Sequence, residues 1–194
     1  MKRISLFLLS TFIMVSLLNC SKKPTDGPLV RIETIYGDIV VTLYPLESPK
    51  TVENFLQYVK EGFYDNTIFH RVIRRFMIQG GGLTPELKTK PTRDPIVNEA
   101  TNGLKNKRGT IAMARGSEPD SARAQFFINL RNNPFLDHKK KTLSNWGYCV
   151  FGRVIEGMDV VDKIERIPIV SKKGFPKFPE TLVIIKKVSV LESL

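Results

Sequence analysis

The sequence predicts a mainly β domain that closes into a barrel, on three observations. Short runs rich in Val, Ile, Thr and Phe recur between turn residues, as strands do. Only two segments show helical spacing. The 194 residues, with 42% hydrophobic content, amount to one domain with a sizeable core. Many short strands with two helices are best buried by closing the sheet, which removes its open edges.

The elements follow in order. Lys2 and Arg3 precede an apolar run from Ile4 to Leu18, too short and wrongly flanked for a spanning helix but suited to a signal peptide over residues 1–19. Residues 20–28 read as Cys20 and a flexible tether, polar and with two prolines. The folded domain is expected over 29–194. Leu29 to Thr34 and Asp38 to Leu43 form a hairpin around Ile35-Tyr36-Gly37. Val52, Phe55, Leu56 and Val59 then fall at i, i+3, i+4 and i+7. With Ser48 as N-cap, Pro49 at the first position and Gly62 as the stop, they predict an amphipathic helix. Strands are expected at Thr67 to Arg74, Phe76 to Gln79, Ile96 to Asn98, Thr110 to Met113, Gln125 to Leu130 and Cys149 to Val154. A shorter helix, Met158 to Ile164, and a final strand, Thr181 to Leu191, complete the chain.

The run from Phe69 to Gly82 carries the chemistry, setting Arg71 and Gln79 among large apolar side chains. In an extended segment the period of two puts Arg71 and Ile73 on one face and His70 and Val72 on the other. A bend near Arg74-Arg75 would let Phe76, Met77 and Gln79 rejoin Arg71. A guanidinium over an apolar floor can recognise a carbonyl attached to an apolar ring. Gln125-Phe126-Phe127-Ile128-Asn129 supplies another amide beside another aromatic pair.

These two segments resemble the signatures of the cyclophilin-type peptidyl-prolyl cis-trans isomerases. Thr51-Val52-Glu53-Asn54-Phe55, Gly109 to Ala114, Phe135-Leu136-Asp137 and Val150 to Met158 match in the same order, so the resemblance covers about residues 30 to 194. It implies a closed eight-stranded antiparallel barrel with a helix capping each end, and isomerisation of X-Pro bonds without cofactor or metal. Arg71 aligns with the catalytic arginine. Gln79 would orient Arg71 or bind substrate backbone, and Phe76, Met77, Phe127 and Leu136 would hold the proline ring. Gln125 aligns with a backbone-binding glutamine, and Ala114 and Arg115 with the strand edge where substrate lies. His70 aligns beside the arginine and is read as packing behind it. Tyr148 stands where many members carry histidine. Phe135 replaces a tryptophan that contributes to cyclosporin binding, so weak cyclosporin binding is expected. The Leu83 to Pro95 segment lacks the glycine-rich loop of eukaryotic members and is similar to compact bacterial ones.

Other classes fit less well. His70 and His138 are isolated, with no metal-ligand spacing around them. Gly80-Gly81-Gly82 is not followed by the Lys-Ser/Thr of a phosphate loop, so tight backbone packing is the expected reason for it. The net charge of +11 invites a nucleic-acid reading, but the basic residues are dispersed along polar loops. Attraction to anionic membrane is the milder inference. Leu17-Leu18-Asn19-Cys20-Ser21 resembles the lipobox of bacterial lipoproteins, with Asn19 departing from the usual small residue. The expectation is a monomeric, membrane-anchored lipoprotein, lipidated on Cys20 and facing periplasm or cell surface, that assists folding of proline-containing polypeptides. A soluble periplasmic form is the alternative. The rival function is a surface-anchored binding or adhesin module on the same scaffold. Cys149, in an apolar run, reads as a small buried hydrophobe.

Overall fold

The computed structural model describes residues 27–172 and 174–191. The expected signal peptide, and Cys20 with the first part of the tether, lie outside these residues. Among the described residues there are ten strands: β1 (Leu29–Thr34), β2 (Gly37–Leu43), β3 (Thr67–Ile73), β4 (Met77–Gly80), β5 (Thr110–Met113), β6 (Phe126–Asn129), β7 (Val150–Glu156), β8 (Ile169–Lys172), β9 (Phe175–Pro179) and β10 (Ile184–Leu191). Two α-helices, α1 (Pro49–Lys60) and α2 (Met158–Glu165), complete the regular structure. Eight strands close into a barrel in the order β1-β10-β3-β4-β6-β5-β7-β2, and β8 pairs only with β9. Every pairing is antiparallel. The backbone pairing beside β2 already includes the end of the expected tether, since Gly27 N–H donates to the Leu43 carbonyl at 2.9 Å and Leu43 N–H to the Pro28 carbonyl at 3.0 Å.

The barrel interior is apolar and fully packed. Ile32, Ile39, Val41, Val72, Ile78, Ile111, Phe126, Ile128 and Phe151 are at most 0% exposed and share one cluster. α1 closes one end. Its Phe55 ring lies 5.2 Å from Tyr64, 5.7 Å from Phe126 and 5.2 Å from Phe151, the Phe126 contact being edge-on, and full burial of such a ring contributes about 2 to 3 kcal/mol. α2 covers the opposite end, where Val160 packs against the β1–β2 turn at Gly37 and Glu165 Oε1 accepts the backbone N–H of Arg75 in the β3–β4 turn at 2.6 Å.

Ser48 occupies the N-cap position of α1, but its side chain does not cap the helix. Its hydroxyl donates instead to the Val150 carbonyl at 2.8 Å. The exposed N–H groups of the first turn are taken by Glu99, whose carboxylate accepts from Lys50 N–H at 3.1 Å and Thr51 N–H at 2.8 Å. A carboxylate there also complements the positive end of the helix dipole.

Three points about the strands differ from the sequence reading. Ile96 to Asn98 is not a strand but a single bridge between Ile96 and Ala122. Pro95 has no N–H to give, and the Asn98 N–H is diverted to Asp120 Oδ1 at 2.8 Å. The β8–β9 hairpin was not anticipated. All four residues of β8 are exposed, so it carries no burial alternation to read. The third correction concerns β3 and sets the site.

In β3, Phe69 pairs with Gly80 and Arg71 with Gln79, so one extra residue, His70, bulges from the ladder. The bulge changes which side chains face inward. Phe69 and Val72 both enter the interior cluster although they are three residues apart, while Ile73 packs outside. His70 is therefore not on the face of Val72 as strict alternation predicts; it lies outside, with its ring 5.9 Å from Phe175 of β9. Without the bulge Arg71 would share the inward face of Phe69, where an unpaired cation could not be accommodated.

Candidate active site

Register carries Arg71 into a row across the outer face of the barrel. Arg71 of β3 pairs with Gln79 of β4, Gln79 with Phe127 of β6, and Phe127 with Ala112 of β5. Cation, amide, ring and methyl thus lie side by side on four adjacent strands. Cross-strand neighbours stand about 5 Å apart at Cβ, within mutual reach.

The polar members hold one another. Arg71 Nη1 donates to Gln79 Oε1 at 3.1 Å and lies 4.0 Å from Met77 Sδ. Gln79 Nε2 in turn donates to Gln125 Oε1 at 2.8 Å. This relay leaves the guanidinium anchored at one nitrogen. Gln125 lies flat over Gly82, where an added Cβ would stand 2.6 Å from its Cγ. The glycine run after β4 therefore serves close packing, as the sequence suggested.

Beside the row is a hollow of about 300 Å³ lined by Arg71, Phe76, Met77, Gln79, Ala114, Arg115, Phe127, Phe135, Leu136 and Tyr148. The bend predicted at Arg74-Arg75 is present, with Arg75 at φ 56° and Phe76 N–H returning to the Ile73 carbonyl at 3.1 Å, and it swings Phe76 over the hollow. Met77, Phe127 and Leu136 form a buried apolar floor with Ala112 and Val150. Phe135 and Leu136 come from the short turn Pro134–Leu136. Phe135 is 55% exposed and stacks obliquely on Phe76 at 5.4 Å. Tyr148 meets Phe127 edge-on at 5.7 Å. Arg115 covers the Tyr148 ring at 4.7 Å and is held by the carbonyls of Gly147 and Gly116, each at 3.0 Å.

Ten of the residues singled out from the sequence thus meet around one hollow. Gln125 lines the adjoining recess, which shares Gln79, Ala114 and Arg115 with it. His70 does not reach the hollow; it is 4% exposed, and burial, opposed by a hydrogen bond to the Ile68 backbone and aided by the Arg71 cation, lowers its pKa to about 4. The sequence reading placed His70 as packing behind the arginine; its neutral state is set by burial. Cys20 lies outside the described residues. Burial pushes the Cys149 thiol up to about 11, which suits a packing role. The sequence reading missed Ala112 and the amide floor of Asn106, Asn129 and Asn133. Asn129 was recoverable, because it stands two residues beyond Phe127 and so faces the same way.

This arrangement suits rotation about an amide followed by a five-membered ring. The hollow is apolar where the ring would sit and cationic at its edge. It contains no nucleophile positioned beside a base, and the chemistry asks for none.

Comparison with known proteins agrees. The sequence profile described as cyclophilin type peptidyl-prolyl cis-trans isomerase/CLD matches residues 29–190. Peptidyl-prolyl cis-trans isomerase B of Escherichia coli K12 is 54% identical over 164 residues, spanning 84% of this chain and 100% of that protein. A peptidyl-prolyl cis-trans isomerase of Streptomyces antibioticus is 54% identical over 162 residues, spanning 84% and 98%. Among solved structures, a cyclophilin type peptidyl-prolyl cis-trans isomerase of Cryptosporidium parvum, crystallised in the presence of the dipeptide Ala-Pro, superposes with a TM-score of 0.73 at 32% identity, over 85% of this chain and 99% of that one.

Proposed function

The chain belongs to the cyclophilin-type peptidyl-prolyl cis-trans isomerase family and is such an isomerase; from that premise we propose that Arg71 stabilises the turning amide and that the enzyme serves exported proteins from a lipid anchor. Amide resonance sets a barrier of roughly 18 to 20 kcal/mol, and X-Pro bonds exchange unaided over about 10 to 100 s. Midway through the rotation the prolyl nitrogen regains its lone pair and becomes an acceptor. A guanidinium N–H aimed at that nitrogen bonds the twisted state and neither planar one, which is the differential binding that lowers a barrier. The Gln79–Gln125 relay holds the guanidinium in place, so that little ordering is left to the moment of reaction. A charge-assisted hydrogen bond of about 1.5 to 3 kcal/mol corresponds to roughly ten- to a hundredfold in rate.

The observation that carries this reading is the paired row Arg71, Gln79, Phe127 at the edge of the apolar hollow. Its test is Arg71→Ala in the full chain, assayed by protease-coupled or exchange-spectroscopy turnover of an Ala-Pro peptide. The expected result is a kcat roughly a hundredfold lower with circular dichroism unchanged. Arg71→Lys recovers only part, because a flexible point charge lacks the planar fork. Full activity in Arg71→Ala would reject the role. Phe135 in place of tryptophan at the rim supports weak cyclosporin binding.

Export is supported by Lys2, Arg3 and the apolar run to Leu18, and lipidation by Cys20 directly after that run. The seven Cα–Cα steps from Cys20 to Gly27 would reach at most about 25 Å, so an anchored barrel would work close to the bilayer on chains emerging there. Mass spectrometry of the native N-terminus decides between a lipidated Cys20 and a soluble periplasmic form. The isomerase relatives at 54% identity favour an enzyme over a scaffold that only binds.

A further inference from the structure

Beside the apolar floor of the hollow lie three buried asparagines, an unusual choice for a buried position. Asn106, Asn129 and Asn133 are 1%, 0% and 0% exposed. Asn129 donates from Nδ2 to Thr110 Oγ1 at 2.9 Å and to Asn106 Oδ1 at 3.2 Å. Asn133 Nδ2 donates to Asn129 Oδ1 at 2.8 Å and to the Phe76 carbonyl at 2.9 Å. Asn106 Nδ2 is shared between the carbonyls of Leu136 at 3.2 Å and Tyr148 at 3.3 Å and the Asp137 carboxylate at 3.2 Å. Backbone groups join the same network: Asn106 N–H donates to Asp137 Oδ1 at 2.7 Å, and Asn133 N–H to the Asn106 carbonyl at 2.7 Å.

The network is one continuous strut whose ends rest on the backbone of three walls of the hollow. Phe76 is at one end; Leu136 and Tyr148 are at the other. These walls come from a tight turn, a single helical turn and a loop rather than from strands; besides the network, Leu130 N–H donates to the Phe76 carbonyl and Tyr148 N–H to the Leu136 carbonyl, each at 2.9 Å. Buried amides carry a high penalty when a bond is lost, so the chain of amide donors fixes separation more tightly than apolar contact does, although Asn133 Oδ1 itself has no hydrogen-bond partner.

We propose that Asn106, Asn129 and Asn133 are positioning residues for the isomerase, setting the distance between Phe76 and the Leu136–Tyr148 wall and hence the grip on the prolyl ring. The proposal rests on the assignment of the hollow as the proline site. It also divides the labour within that site. The ring keeps its shape in the cis, trans and twisted states, so the walls bind all three alike and their loosening is read in KM. Arg71 meets only the twisted state and is read in kcat.

The test is Asn133→Ala in the full chain, which removes the donor to Phe76 and strands Asn129 Oδ1. With an Ala-Pro peptide, KM rises on the order of tenfold while kcat stays within about twofold. Val161→Ala, a 0% exposed core position on α2 remote from the hollow, is the control for lost stability and leaves KM unchanged. Should Asn133→Ala not fold, Asn106→Ser, which releases Leu136 and Tyr148, is expected to give the same rise. An unchanged KM in a folded variant overturns the proposal, as does an equal rise in Val161→Ala. Failure of both asparagine variants to fold also overturns it, since the strut would then be scaffold alone. Loss of kcat in Arg71→Ala with KM unmoved in the asparagine variants removes only the strut; retained kcat in Arg71→Ala removes the site assignment itself.

Discussion

Acidification destabilises this protein through His70, by an amount the structure specifies. In the folded chain the imidazole is buried against Phe175 beside the Arg71 cation, and its pKa falls from 6.5 to about 4. In the unfolded chain the same group titrates near 6.5. Above about pH 6.5 both states hold it neutral, and the full stability is present. Between about 6.5 and 4 the unfolded chain takes up a proton that the folded chain refuses, so stability falls by up to about 1.4 kcal/mol per pH unit, reaching about 3 kcal/mol. Below about 4 both states are protonated and this contribution falls no further. Carboxylates titrate in the lower part of the same range, so the quantity to measure is the difference between the parent protein and His70→Leu. Urea unfolding at pH 8, 6, 5 and 4 gives both curves, and the parent's stability should fall relative to that of His70→Leu as pH drops, because only the parent loses this contribution. The chain has two histidines, so an NMR titration of the ring protons follows His70 directly. A His70 resonance titrating near 6.5, or parallel losses in the two proteins between pH 6.5 and 5, would refute the reasoning. Turnover supplies a corollary: with a neutral ring behind Arg71, His70 should contribute no step to kcat/KM between pH 8 and 5.

Two further substitutions separate stability from activity. Glu99→Ala removes the acceptor for the first-turn N–H groups of α1 and should cost about 1 to 2 kcal/mol in urea unfolding, with KM and kcat unchanged because the hollow lies elsewhere. Gly82→Ala does the reverse. Its Cβ would stand 2.7 Å from Gln125 Nε2, and the glutamine can yield by rotating away, breaking the 2.8 Å bond from Gln79. Stability should change by less than about 1 kcal/mol while kcat drops roughly fivefold as Arg71 loses its support. A Gly82→Ala protein with parental turnover would show that the relay does not matter.

The chemistry of the site was largely legible in the chain. Arg71, Gln79, Phe127, Phe135 and Leu136 were named from sequence, and ten of the named residues line one hollow. α1 was equally legible, because Val52, Phe55 and Val59 repeat with the period of a helix, and both helix termini fell within one or two residues of the expected positions. The helix signal is local, a period of 3.6 written in adjacent residues, whereas most residues of the hollow were assigned through the resemblance to the family's signature segments.

What the sequence left open depended on partners far along the chain. Ser48 looks like a cap, yet Val150 takes its hydroxyl and Glu99 performs the capping. β8 has no burial alternation, and the hairpin is explained by what β9 covers, with Phe175 against His70 and Phe178 packed with Ile68 and Leu83. The bulge at His70 is invisible to a period-two reading, because it is defined by register against Gly80 and Gln79. Residue types determined that a cation, an amide and apolar rings would be available; the strand register, closed through the barrel, decided that Arg71 faces outward beside them, since one unpaired residue in a ladder reverses every side chain that follows it.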